Sequence, residues 1–185
     1  MKLNRNGLRD LAYLCNTEFL RNLQKYCSKA YLYGDCITSV LTCRKFNDID
    51  LVLDTDKKEP INWLLSKYTV NENKFGGMRF NDGHFNYDVW YLNESVNLVD
   101  YGFEIKVENL LKSCLFSNQS VYYDISRGYL RHSSSWETFV LKDLLDYITL
   151  NTYDLSSFKK KALQIRDRYG CNFSIKLQKV LEKVK

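Results

Sequence analysis

Two aspartates, Asp48 and Asp50, stand at i and i+2 in Phe46-Asn47-Asp48-Ile49-Asp50-Leu51-Val52-Leu53, a run that is otherwise largely apolar. An extended strand sends i and i+2 to one face, which sets the two Cα atoms roughly 6.5–7 Å apart. Like charges on one face of an apolar strand disfavour each other unless something positive compensates them. A divalent cation does so, because carboxylate oxygens are hard ligands. A third acid, Asp88, lies in Phe85-Asn86-Tyr87-Asp88-Val89-Trp90, inside another predicted strand. Three strand-borne carboxylates suit two Mg²⁺ or Mn²⁺ ions roughly 3.5–4 Å apart, one lowering the pKa of an attacking hydroxyl and the other steadying a leaving phosphate.

The predicted elements place these acids together. Apolar residues from Leu8 to Leu23 recur at helical spacing, predicting one helix over 8–28. Ala30-Tyr31-Leu32-Tyr33 reads as a buried strand ended by Gly34, followed by a short helix over 36–42 and the Asp48/Asp50 strand. Glycine permits close backbone approach, and the following helix start offers free N–H groups to a phosphate. Pro60 fits the first turn of a further helix. Three short strands follow at 68–71, 78–81 and 85–91, with Asp82-Gly83 as the turn between the last two. Residues 106–113 read as helix and 121–125 as strand. From Trp136 onward the pattern is helical, with Phe139, Val140, Leu144, Leu145 and Ile148 on one stripe, then helices near 154–169 and 174–184. Ser133-Ser134-Ser135 offers a cap for the first of these. The expected architecture is α+β: a mixed sheet flanked by helices over residues 1–132, then a small helical segment over 133–185.

This ordered set resembles the DNA polymerase β nucleotidyltransferase superfamily, and most of all the head of bacterial poly(A) polymerases and CCA-adding enzymes. The motifs that carry the likeness are Gly34-Asp35, then Asp48-Ile49-Asp50, then Phe75-Gly76-Gly77-Met78-Arg79-Phe80 and Asp88. Tyr123-Asp124 and Ala162 to Ser174 continue it more faintly, the latter similar to the start of the family's helical neck. The resemblance implies transfer of a nucleoside monophosphate from an NTP such as ATP to a hydroxyl. It implies Asp48, Asp50 and Asp88 as catalytic metal ligands, with Gly34, Asp35, Thr38, Ser39, Arg44, Lys45 and Arg79 around the nucleotide. Arg79 has two possible roles, neutralising a phosphate or pairing with an acid. The departures are specific. Asp35 adds a negative charge beside the phosphates, Thr38-Ser39 and Ser113-Cys114-Leu115 stand where the family has charged motifs, and Gln164 stands near a usual arginine. Templated CCA addition is therefore not expected.

The bulk properties set the remaining bounds. Apolar residues make up 45% and charged residues 26%, a globular profile. Net charge is +5, and the excess gathers on Lys159, Lys160, Lys161, Arg166, Arg168 and Lys176, which form either a solvated helix surface or an RNA-facing patch. Six scattered cysteines and two histidines make no zinc pattern. No apolar stretch is long enough to span a membrane, and no leader opens the sequence, so reduced thiols in a cytoplasmic protein are expected. The expected acceptor is a hydroxyl at an RNA 3′ end or on a protein, with a small molecule left open. The alternatives are a catalytically impaired descendant that binds nucleotide or RNA, and a protein-interaction module on this fold.

Overall fold

The structure is a computed structural model that describes residues 3–73, 76–150 and 154–184. The chain opens with α1 (Gly7–Cys15) and α2 (Glu18–Leu23), where the sequence predicts one helix. The break falls at Asn16-Thr17, because the Thr17 hydroxyl accepts from the Leu20 N–H and starts a second helix. Leu11, Leu20 and Leu23 are still completely buried, so the helical period survives the break.

Next come β1 (Ala30–Tyr33), α3 (Asp35–Leu41), β2 (Asp48–Leu53) and α4 (Glu59–Lys67), with Pro60 in the first turn of α4. Then follow β3 (Asn71–Glu72), β4 (Met78–Asn81) and β5 (Asn86–Tyr91). The strand expected from Tyr68 is shorter than predicted, because Tyr68 caps α4 instead. Two short helices, α5 (Val96–Asp100) and α6 (Leu110–Ser113), precede β6 (Val121–Asp124) and β7 (Tyr129–His132). Strand β7 was not anticipated. It forms because the Asp124 carboxylate accepts from the N–H groups of Ser126 and Arg127 and sets a hairpin turn.

The seven strands form one mixed sheet in the order β3-β4-β5-β2-β1-β6-β7. Only the β2–β5 pairing within it is parallel. This is the α+β architecture that the sequence implies.

The tail is not all helix. α7 (Ser134–Lys142) starts on the Ser133 cap, as expected, with Ser133 Oγ accepting from the Trp136 N–H. It stops at Asp143, which adopts a left-handed conformation, φ 55°, one of the residue types that tolerates it. Leu144 and Leu145 then form β8, parallel to β9 (Asn172–Phe173), instead of extending the helical stripe. The helices α8 (Leu155–Tyr169) and α9 (Ile175–Leu181) complete the chain.

One face of the sheet carries the main core. Leu32, Ile49, Leu51, Tyr87 and Val89 join residues of α1, α7 and α8 in a single apolar cluster that runs across residue 132. Each fully buried aliphatic or aromatic side chain there contributes about 1.5–3 kcal/mol. The opposite face is only half covered, by a smaller cluster of Tyr31, Val52, Leu92, Leu98, Val107, Leu110 and Tyr122. Asp50 and Asp88 lie on that second face, beside this cluster.

Five of the six cysteines are buried, and Cys43 is exposed. Burial pushes the Cys15 and Cys114 thiols up to about 12. In the native chain, Ellman's reagent is therefore expected to label one thiol quickly, and Cys43→Ser to remove that signal. Rapid labelling of several thiols would contradict this packing.

Candidate active site

The side-chain alternation of β2 and β5 builds the site. Ile49, Leu51 and Leu53 point into the main core, which turns Asp48 and Asp50 to the other face. In β5, Tyr87 and Val89 do the same for Asp88. Because β2 and β5 are parallel and in register, Asp50 lies directly beside Asp88, and Asp48 beside Asn86. On the other side Asp50 pairs with Tyr33, the last residue of β1. The chain then turns through Gly34 at φ 78°, a conformation that favours glycine. A Cβ there would lie 3.6 Å from Asp50 Oδ2. The expected strand–Gly–helix–strand order thus brings the turn against the acids.

Asp50 and Asp88 line a cleft of about 1090 Å³, bounded also by Tyr33, Arg79, Trp90 and Tyr101, and by Leu110, Ser113, Cys114 and Leu115 among others. That volume accommodates a nucleoside triphosphate. Its electrostatics are strained at one point. Burial, then the charges of Asp88, Asp48 and Asp35, push the Asp50 carboxyl up to about 8, while Lys161 of α8 opposes the rise.

The acids are not equivalent. Asp48 is exposed and Asp50 half-buried, and neither side chain has a hydrogen-bond or ion-pair partner among the described residues. Asp88 is buried, and both of its oxygens are taken. Arg79 Nε donates to Oδ1 at 2.9 Å and Nη2 to Oδ2 at 2.5 Å. Of the two roles considered for Arg79, the structure displays the acid pair. No group of three or more His, Cys, Asp or Glu side chains is arranged to hold a metal among the described residues. Asp48 and Asp50 fit an ion that takes one or two carboxylates and completes its shell with phosphate and water, the usual habit of Mg²⁺.

The other expected site residues divide sharply. Asp35 turns away from the cleft. Its carboxylate accepts from Asn118 Nδ2 at 2.6 Å, from the Tyr169 hydroxyl at 2.7 Å and from Arg168. Thr38 and Ser39 are completely buried, and their hydroxyls are committed to the fold. Thr38 Oγ1 donates to the Asn118 carbonyl and accepts from the Trp136 indole N–H, while Ser39 pairs with the Tyr169 hydroxyl. Both are therefore out of reach of a nucleotide in this arrangement. Arg44 and Lys45 are exposed just before β2 and do not line the cleft. Phe75 lies outside the described residues.

Two residues gain importance from the geometry. Lys161 was visible in the sequence only as one of a basic run, yet its charge acts on Asp50. Trp90, two residues after Asp88, lines the cleft against Tyr33, their rings edge to face at 6.2 Å.

This sheet, with paired acids beside a strand-ending glycine, is of the nucleotidyltransferase type. Solved structures share the fold over nearly the whole chain. A CCA-adding enzyme with ATP matches with a TM-score of 0.72 and 14% identity, over 99% of this chain and 46% of that one. A tRNA-processing enzyme in an apo form matches at 0.65 and 15%, over 99% and 48%. A tRNA nucleotidyltransferase complexed with a primer tRNA and an incoming ATP analog matches at 0.66 and 15%, over 88% and 48%. The chain spans about half the length of these proteins. No protein-family model and no curated protein matches the sequence. No helix among the described residues is long and apolar enough to cross a membrane.

Proposed function

We propose that the chain is a metal-dependent nucleotidyltransferase that moves a nucleoside monophosphate from an NTP to a hydroxyl, at an RNA 3′ end or on a protein. One observation carries this reading: Asp50 and Asp88 are side by side on parallel strands, Asp48 is on the same face, and Asp50 stands at the Gly34 turn. In the reaction the acceptor oxygen bonds to the α-phosphorus, the bridge to the β-phosphate breaks, and pyrophosphate leaves. The hydroxyl proton passes to solvent.

Asp48 and Asp50 would hold the Mg²⁺ or Mn²⁺ ion. The ion supplies positive charge to the reacting phosphate and makes the oxygens at both ends of the transfer less costly. Lys161 of α8, whose charge opposes the rise of the Asp50 carboxyl, would add positive potential to the site from outside the residues that line the cleft. Trp90 would offer a ring face to the base, a contact worth about 1–3 kcal/mol where bases stack on aromatic side chains. The basic residues of α8 and α9 favour an RNA acceptor, since counterion release favours binding of a polyanion.

The test supplies each labelled NTP with Mg²⁺ or Mn²⁺ and a pool of RNA and protein. Wild-type chain is expected to move label to an acceptor, and Asp48→Ala/Asp50→Ala to lower this by at least ~10³-fold. Absence of both transfer and metal-dependent NTP binding would overturn the enzymatic reading.

A further inference from the structure

The grip of Arg79 on Asp88 is built by the sheet rather than by chance contact of two surface chains. Arg79 and Asp88 are register partners across antiparallel β4 and β5. That register is pinned on the other face, where Phe80 stacks on Tyr87 at 5.2 Å with planes 13° apart. The Asp82-Gly83 turn, with Asp82 Oδ1 accepting from the N–H groups of His84 and Phe85, pins it at the end. A slip of one residue would turn Arg79 into the core. The guanidinium is therefore delivered to Asp88 by the same alternation that delivers Asp88 to the cleft.

The pair is a fork on a carboxylate, with one N–H to each oxygen, the geometry of the stronger ion pairs. The Asp88 side chain is 12% exposed and that of Arg79 is 55% exposed. The acid therefore sits inside, with the cation as its cover. Arg79 keeps its charge at every working pH. Its remaining N–H groups are uncommitted to Asp88, and the residue lines the cleft. A second divalent ion bridging Asp50 and Asp88 would have to displace this guanidinium or sit against it.

We infer that Arg79 withdraws Asp88 from the metal ligands, so that the site holds one divalent ion on Asp48 and Asp50 and offers the phosphates a guanidinium in place of a second ion. The inference rests on the metal-site reading of Asp48 and Asp50. Arg79 is on this account a positioning residue for Asp88 and a fixed positive charge beside the substrate.

Equilibrium dialysis with Mn²⁺ and a non-hydrolysable NTP analogue counts ions per nucleotide retained by the chain. The wild type is expected to retain one. Arg79→Ala frees Asp88 and should raise the count about twofold. Arg79→Lys keeps the charge and should stay at one. Arg79→Ala/Asp88→Asn removes the freed ligand and should return to one, which also controls for any loss of folding in the single variant, checked by circular dichroism. Two ions in the wild type would overturn the inference and leave the metal-site reading intact. One ion in a folded Arg79→Ala would overturn it as well. No Mn²⁺ retained by the wild type, or the same retention in Asp48→Ala/Asp50→Ala, would overturn the metal-site reading and with it the inference.

Discussion

Asp50→Asn is expected to melt at a higher temperature than the wild-type chain in EDTA, while its transfer activity falls by at least ~10³-fold. Both effects have one cause. Asp50 is held in a half-buried place among Asp88, Asp48 and Asp35, and its carboxyl is pushed from 3.8 up to about 8. Below its ordinary value, folded and unfolded chains both carry the proton, so the site costs nothing. Between that value and about 8 the folded chain keeps a proton that the unfolded chain has released, so stability falls as pH rises. Above that range the loss is complete. Asparagine has no such titration, so its advantage is absent at the acid end and greatest at the alkaline end. A gain on the order of 2 kcal/mol, discounted from the full shift because the carboxyl still meets solvent, moves Tm by about 4–8 °C in a chain of this size. Mg²⁺ should raise the Tm of the wild type and leave that of Asp50→Asn where it was, because an ion that binds only the folded state stabilises it. A variant that melts lower at alkaline pH would show that Asp50 is not under charge stress, and the argument for a cation at this place would fail.

Such a site is legible in sequence only where local rules suffice. Strand alternation alone placed Asp48 and Asp50 on one face, and the glycine after a buried strand marked the turn beside them. The nature of Asp88's neighbour was not legible. Asp88 and Arg79 are nine residues apart in the hydrogen-bonded pair, and only the register across the Asp82-Gly83 turn brings them together. Lys161 was hidden among similar lysines because its distinction is tertiary: α8 returns to a sheet more than a hundred residues earlier. In the tail, the helical stripe through Leu144 and Leu145 was misleading. Two apolar leucines in sequence satisfy a helix face or a strand equally, and it is the left-handed Asp143 and the distant partner Asn172-Phe173 that decide for the strand. Thr38 and Ser39 show a further limit. Their hydroxyls lie at a helix start where a phosphate could use them, yet Trp136 and Tyr169, both from the tail, take them first.

Asp35→Ala is expected to destabilise the chain by about 2–3 kcal/mol, lowering Tm by about 4–12 °C, with no first-order effect on NTP affinity. The sequence places this carboxylate beside the phosphates, where a negative charge would repel them. The structure turns it the other way, to three donors: Asn118, Tyr169 and Arg168. Its side chain is 17% exposed and that of Arg168 is 31% exposed, so water compensates the loss of the pair only in part. Alanine would leave a half-buried guanidinium, a buried hydroxyl and an amide without their acceptor. Asp35→Asn, which retains one acceptor oxygen, should lose less. Arg168→Ala should act differently, because it leaves an acid charge uncovered near Asp50 and so raises the Asp50 carboxyl further. An Asp35→Ala chain with unchanged Tm and a raised KM for NTP would put the carboxylate in the site instead. On the expected result, the tail helix is part of what shapes the Gly34 turn. Arg168 neutralises the charge that follows Gly34, Tyr169 ties Asp35 to Ser39, and the charge of Lys161, on the same helix, favours the ionised Asp50. The departure at Asp35 would then be compatible with catalysis, because the negative charge added beside the phosphate turn is met by a positive charge on α8.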